Sequence, residues 1–220
     1  RLIYGYYPEI VCNAGKEQTI LKQLSDSYLY KDILTWGNIK KIDKLTKLLQ
    51  ALAFQVGNQV SNNELGQICG LDSKTVDSYL NLLEQVYVIF HLSSFSRNLR
   101  NELKQSKKYY FFDNGIRNAL IANFNQPELR QDVGALWENF ILAERQKYIL
   151  HNQLWVNQYY WRTKEQQEID YLEEYNGKLY AFEFKWDPKA KAKFPNSFAK
   201  AYTNSEFKII HQDNFEDFVM

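Results

Sequence analysis

Residues 168–185 read Glu-Ile-Asp-Tyr-Leu-Glu-Glu-Tyr-Asn-Gly-Lys-Leu-Tyr-Ala-Phe-Glu-Phe-Lys. Two runs rich in aromatic and branched residues, Ile169 to Glu173 and Leu179 to Lys185, flank Asn176-Gly177. That dipeptide favours the positive φ of a two-residue hairpin turn, so the stretch predicts two antiparallel strands. Glu183-Phe184-Lys185 alternates polar, apolar, polar, which puts the carboxylate and the ammonium on one face. The turn fixes the register and brings Asp170 toward the end of the second strand. Two carboxylates and a lysine then share one place. This suits phosphodiester hydrolysis, which needs hard oxygen ligands for Mg²⁺ or Mn²⁺ and positive charge on the developing phosphorane. Asp170 and Glu183 are the candidate metal ligands, and Lys185 is the candidate charge-stabilising group. The competing account is a solvated cross-strand salt bridge, worth well under about 1 kcal/mol. Phe182, Phe184, Leu179 and Trp186 make the strand mostly apolar, which argues against mere decoration.

Before the hairpin, Leu136, Phe140, Ala143 and Tyr148 space a helix over Gly134 to Leu150, and Gln158 to Thr163 reads as a strand. After it, Pro188 to Tyr202 reads as a basic helix and Phe207 to Ile210 as a last strand. The order is α, β, β, β, α, β. The polar connector Asn125 to Asp132 sets the boundary between a first domain, residues 1–125, and a second, 126–220. In the first domain, apolar spacing predicts two helices over 17–56, interrupted at Gly37-Asn38. Ser61-Asn62-Asn63-Glu64 has the form of a capping box for a short helix ended by Gly70, and Asp72 or Ser73 caps another bearing Val76, Tyr79, Leu80 and Leu83. Val86 to Leu92 and Tyr109 to Phe112 are β-prone, and Ile116 to Phe124 reads as a helix. Helix, short helix, helix, strand, wing, strand is the order of a winged helix-turn-helix. The expected fold class is thus α/β (α+β), a helical winged helix-turn-helix followed by a second, mixed domain.

That second domain, with D-(x)12-E-x-K preceded by a helical Glu138, resembles the PD-(D/E)XK phosphodiesterase superfamily and its restriction-endonuclease-like fold. More closely, the chain resembles the C-terminal region that follows the ATPase domain in prokaryotic AAA-type ATPases carrying the DUF4143 domain. The residues that carry this likeness are Gly5-Tyr6-Tyr7-Pro8-Glu9, Tyr30-Lys31-Asp32-Ile33, Lys108-Tyr109-Tyr110-Phe111-Phe112-Asp113-Asn114-Gly115, Gly134-Ala135-Leu136-Trp137-Glu138-Asn139-Phe140, Trp161-Arg162-Thr163, Glu168-Ile169-Asp170 and Glu183-Phe184-Lys185. They span nearly the whole chain. The resemblance implies that Glu138, Asp170, Glu183 and Lys185 are the catalytic positions, with Mg²⁺ or Mn²⁺ as cofactor. No G-x-x-x-x-G-K-[ST] occurs, so no nucleotide site is expected here. The resemblance places an ATPase domain N-terminal to this chain.

A net charge of +1 gives no global pull on nucleic acid, so contacts must come from local patches. The wing holds Arg97, Arg100, Lys104, Lys107 and Lys108 against the single acid Glu102. Such a wing grips phosphates without reading bases. Lys189, Lys191 and Lys193 beside the catalytic strand, and Arg162 at a strand end, complete the candidate nucleic-acid contacts. The expected partner is nucleic acid, DNA in the first place. The would-be recognition face, Lys74, Thr75, Asp77, Ser78 and Asn81, is nearly neutral. His91, His151 and His211 lack metal-ligand spacing, and Cys12 and Cys69 are read as reduced, buried thiols. No apolar run suits a membrane span and no secretory signal is evident, so a cytoplasmic protein is expected. The alternative to the enzyme is a catalytically idle nuclease fold that binds nucleic acid or protein for the ATPase.

Overall fold

The computed structural model describes residues 1–28, 41–96 and 107–220, with the backbone alone for 27 and 28. The motif Tyr30-Lys31-Asp32-Ile33, the break at Gly37-Asn38 and the wing residues Arg97, Arg100 and Lys104 lie outside the described residues. The chain is a mixed α/β protein of two compact units: Arg1–His91 with Lys108–Phe140, and Leu92–Lys107 with Ile141–Met220. This division cuts the chain differently from a single boundary at the 125–132 connector.

The first unit opens with α1 (Pro8–Cys12) and α2 (Glu17–Gln23), which continues into a π-helical turn, Leu24–Tyr28. In α3 (Ile42–Phe54), Leu45, Leu48, Leu49 and Leu52 are buried at the spacing read from the sequence. After the short strand β1 (Gln59–Val60), α4 (Asn62–Cys69) is capped by Ser61, whose hydroxyl accepts from Glu64 N–H at 3.2 Å, and Gly70 ends it in the left-handed region. Asp72 caps α5 (Ser73–Gln85) by accepting from Lys74 and Thr75 N–H. The strand expected from Val86 begins later, as β2 (Ile89–Ser94). Tyr87 takes φ +56°, and the N–H groups of Val86 and Val88 bond back to the carbonyls of Leu82 and Leu83. The end of α5 therefore uses donors that a strand would need. Next come β3 (Lys107–Phe111), α6 (Asn114–Leu120), a 3₁₀ turn (Pro127–Leu129) and α7 (Val133–His151). The hydrogen-bonded strand order here is β1-β3-β2.

Three of the motifs meet in this unit and explain one another. Asp113 caps α6 through Ile116 N–H at 3.1 Å, and its other oxygen accepts Tyr6 N–H at 2.7 Å. The Asn114 amide donates to the carbonyls of Leu2 and Leu136, and that of Asn118 to Ile3. Asn139 accepts from Phe111 N–H at 2.7 Å and donates to Phe111 O and Asn114 Oδ1. Buried side-chain amides thus satisfy backbone groups that no ladder reaches. Gly5, at φ +71°, passes so close that an added Cβ would stand 2.1 Å from Asp113 Oδ1. Gly5→Ala is therefore expected to destabilise the chain by about 1–3 kcal/mol or more, seen as a lower midpoint in chemical denaturation.

The other buried network of this unit is ionic. Arg117 Nε donates to the Ala53 carbonyl at 2.8 Å, and its guanidinium reaches Asp132 Oδ2 at 2.6 Å. Arg130 donates to both Asp132 oxygens at 2.8 Å, and to Asn123 O and Asn118 Oδ1. Both guanidiniums are almost fully buried, at 2% and 0% exposure.

In the second unit β4 (Asn157–Arg162), β5 (Glu168–Tyr175), β6 (Lys178–Phe184) and β7 (Ser205–Ile210) follow β2 in that spatial order. β4, β5 and β6 are antiparallel neighbours, whereas β2 with β4 and β6 with β7 are parallel. Asn176 and Gly177 both take positive φ, +51° and +70°, as the turn signal predicts. One sheet face packs Trp161, Leu172, Leu179 and Ala181 on Phe198 of the short helix α8 (Asn196–Ala201). The other carries Tyr171, Phe182 and Phe184 against Phe218 of the terminal helix α9 (Glu216–Val219). The basic helix expected over Pro188 to Tyr202 is a correction, because only its end is helical. Lys-Ala-Lys-Ala-Lys at 189–193 has period two and no apolar helical face, Asp187 closes a turn through Lys189 N–H, and α8 starts only after Pro195. Cys69 is buried, but Cys12, expected to be buried, is exposed. Among the described residues no helix is long and apolar enough to cross a membrane.

Candidate functional site

Asp170, Glu183 and Lys185 come together at one end of the β5–β6 ladder. The paired positions run from Tyr175↔Lys178 to Tyr171↔Phe182, so one further step sets Asp170 opposite Glu183. The antiparallel partner on the other side imposes a change. Tyr159 pairs with Leu172 but Trp161 with Ile169, leaving Asp170 and Tyr171 to oppose Tyr160 alone. This is a β-bulge on β5, a device that turns a side chain out of the regular alternation. The re-aimed Asp170 carboxylate accepts the Phe184 N–H at 2.9 Å, bringing it to the backbone between Glu183 and Lys185. Lys185 Nζ donates to Glu183 Oε1 at 2.8 Å. The pair is only partly exposed, 18% for the Glu183 side chain and 31% for that of Lys185, so water screens it incompletely.

Among the described residues no group of three or more His, Cys, Asp or Glu is gathered to hold a metal ion. The protein's own candidate ligands at this place are Asp170 and Glu183. That donor set suits Mg²⁺ or Mn²⁺, hard cations often held by one or two carboxylates with water completing the shell. It would not suit zinc, which prefers His and Cys.

Glu138 belongs to the first unit. Its carboxylate accepts the Tyr110 hydroxyl at 2.7 Å and lies 3.7 Å from Lys108 Nζ. Lys108, assigned to the wing's phosphate-gripping set, is only 2% exposed, and its charge is directed to Glu138 rather than to solvent. Lys107 next to it is half-buried. Arg162 pairs with Glu168 at 3.4 Å and donates to Gln166. Lys189, Lys191 and Lys193 stand exposed on the loop between β6 and α8. On α5, Lys74, Asp77, Ser78 and Asn81 are exposed as expected, and Asp77 accepts from the amides of Asn62 and Asn81.

Two arrangements were not legible in the motifs. Burial works to lower the Arg145 pKa, but bidentate pairing with Glu173 at 2.6 and 2.8 Å outweighs it and raises it. Glu173 also accepts the Tyr171 hydroxyl, whose pKa is raised first by complete burial and then by that carboxylate. The alternation Tyr171, Glu173, Tyr175 was the available signal, since a carboxylate between two tyrosines on one strand face requires a partner. The second arrangement is a cavity of about 580 Å³ above this pair, lined among others by Tyr180, Phe182 and Phe218.

The described residues define the class: a mixed α/β protein with a carboxylate-lysine cluster at a bulged strand end. The chain belongs to the family described as a domain of unknown function, DUF8612, whose model matches residues 1–127. A second domain of unknown function, DUF4143, matches residues 133–217. The likeness to the DUF4143 group drawn across the chain thus divides between two models, with the glycine-tyrosine and Phe-Asp-Asn motifs falling in the first. The chain is 27% identical to an uncharacterized protein of Mycobacterium tuberculosis over 161 residues, 72% of this chain and 36% of that protein. It is 28% identical to an uncharacterized protein of Haemophilus influenzae, covering 52% of this chain and 30% of that one. With an uncharacterized protein of Methanocaldococcus jannaschii it shares 23% identity, over 77% and 37% of the two chains. The chain spans only 30–37% of the length of these curated relatives. No solved structure matches it.

Proposed function

We propose that the second unit carries a metal-dependent phosphodiesterase site of the PD-(D/E)XK type on a restriction-endonuclease-like fold, acting on DNA or RNA. One observation carries this reading: the bulge on β5 aims Asp170 at the backbone between Glu183 and Lys185. A solvated salt bridge requires no bulge. In this reading Asp170 and Glu183 hold Mg²⁺ or Mn²⁺, and the bound ion supplies Lewis-acid polarisation of the phosphodiester. Lys185 faces the scissile phosphate and stabilises its developing charge. The proposed site is drawn from the second unit; Glu138, a catalytic position by the resemblance, lies in the first. We further propose that α3 to α5 with β2 and β3 form a winged helix that contacts nucleic acid through Lys107 and the neighbouring Arg97, Arg100 and Lys104. In a longer protein the chain follows an AAA-type ATPase domain, a reading supported by the resemblance and by the greater length of the relatives.

A second reading, an idle nuclease fold that binds nucleic acid or protein for the ATPase, is favoured by the fact that, among the described residues, no third His, Cys, Asp or Glu joins Asp170 and Glu183 at β5–β6. Calorimetric Mn²⁺ titration separates the two. Saturable binding by the wild type that is lost in both Asp170→Asn and Glu183→Gln is the expected result. Equal binding, or none, in all three proteins favours the idle module. Asp170→Asn keeps an oxygen for the Phe184 N–H, so loss of metal is not confused with loss of the strand end.

A further inference from the structure

On the sheet face opposite the Leu179–Ala181 core, the second unit holds the 580 Å³ cavity, within the size range of pockets for small molecules. Strand alternation and the β6–β7 register, which pairs Phe182 with Lys208 and Phe184 with Ile210, bring Tyr180, Phe182, Lys208 and Ile210 to its floor. Leu154 and Val156, from the segment before and at the entry of β4, form an apolar wall, and Leu154 remains 39% exposed beside the mouth. The charged groups divide into committed and uncommitted ones. Arg145 and Glu173 satisfy each other bidentately, and the remaining Arg145 nitrogen donates to Phe218 O at 2.7 Å. The Lys208 side chain makes no hydrogen bond or ion pair with a described residue, and its charge is felt by Glu206 on its own strand. Asp217, on α9, lines the other side and disfavours a second negative charge there.

We infer that this cavity is a binding site for a compact organic anion with an aromatic or aliphatic body and a single carboxylate-like head, the body lying on Tyr180, Phe182 and Ile210 and the head on Lys208. An apolar floor selects the body by burial, and one uncommitted cation beside it selects the sign of the head. Nothing in the nuclease reading requires this site, and its residues are separate from Asp170, Glu183 and Lys185.

The test uses the full chain with 2-naphthoate, its neutral analogue 2-naphthamide, and acetate, each followed by calorimetry and ligand-observed NMR. The expected result is saturable one-to-one binding of naphthoate, weaker binding of naphthamide and none of acetate. Lys208→Gln, at an exposed position, should weaken naphthoate about tenfold and leave naphthamide unchanged. Leu154→Trp, which fills the mouth from a partly exposed position, should abolish both. Circular dichroism melts identify any variant that fails to fold; for the pocket, Val156→Phe then replaces Leu154→Trp. No saturable binding of naphthoate up to about 1 mM, equal affinity for the acid and the amide, or binding that survives Leu154→Trp overturns the inference.

Discussion

Lys185→Ala should lower metal-dependent cleavage of labelled DNA or RNA by a factor on the order of 10² or more while leaving the fold and Mn²⁺ affinity in place. The expectation follows from what the ammonium touches. Without substrate it lies 2.8 Å from Glu183 Oε1, a contact between partly exposed groups that contributes little to stability. In the proposed site, metal and substrate redirect it to the scissile phosphate, where charge develops only in the transition state. A group used there changes chemistry far more than binding. Removing it also takes away a positive charge that competes with the ion for Glu183, so metal binding should hold steady or tighten slightly. Asp170→Asn differs, because it removes a ligand and loses metal and cleavage together. The assay compares wild type, Lys185→Ala and Asp170→Asn with Mg²⁺, Mn²⁺ and EDTA on single- and double-stranded substrates. Wild-type activity no greater than that of either variant would sink the enzyme and leave the idle binding module.

The hairpin at the centre of this reading was legible because its signals are local. Asn176-Gly177 dictates a two-residue turn whatever surrounds it, and the alternation through Glu183 and Lys185 fixes which residues share a face. The Ser61 and Asp72 caps were legible for the same reason, since each hydroxyl or carboxylate serves an N–H two or three residues on. What escaped was set by distant partners. The β5 bulge depends on how β4 pairs and leaves no mark in residues 168–171 themselves. Lys108 looked like a wing residue because its neighbours in sequence are basic, but Glu138, far along the chain, makes its burial tolerable. The lysines of 189–193 were read by charge alone, although their period-two spacing and the flanking prolines already opposed a helix. The Phe-Asp-Asn motif carried a family likeness without disclosing its work, which is to tie the first residues of the chain to α6 and α7.

Asp132→Asn is expected to cost about 3–5 kcal/mol, the range found when one partner of a buried ionic network is removed and the other charges stay behind. Burial works to raise the Asp132 carboxyl, but the hydrogen bonds from Arg130 and Arg117, and then their charges, overcome it and hold the pKa at about 2, below the ordinary 3.8. The two guanidiniums it neutralises cannot reach water, at 2% and 0% exposure, and Arg117 is further fixed to the Ala53 carbonyl. The asparagine keeps the shape and one acceptor oxygen but leaves two buried cations facing each other, and burial already lowers the Arg117 pKa. The same shift gives a pH signature with a definite sign. A carboxylate whose folded pKa is depressed contributes stability that is complete above its unfolded value near 4 and is lost as pH falls toward about 2, on the order of 2 kcal/mol for a shift of this size. Denaturation of the wild type at successive pH values should therefore show stability falling through that window, and Asp132→Asn should begin lower and fall less steeply there. A variant as stable as wild type at neutral pH, or one with an undiminished slope between pH 4 and 2, would show that the Arg117–Asp132–Arg130 network does not hold this part of the fold together.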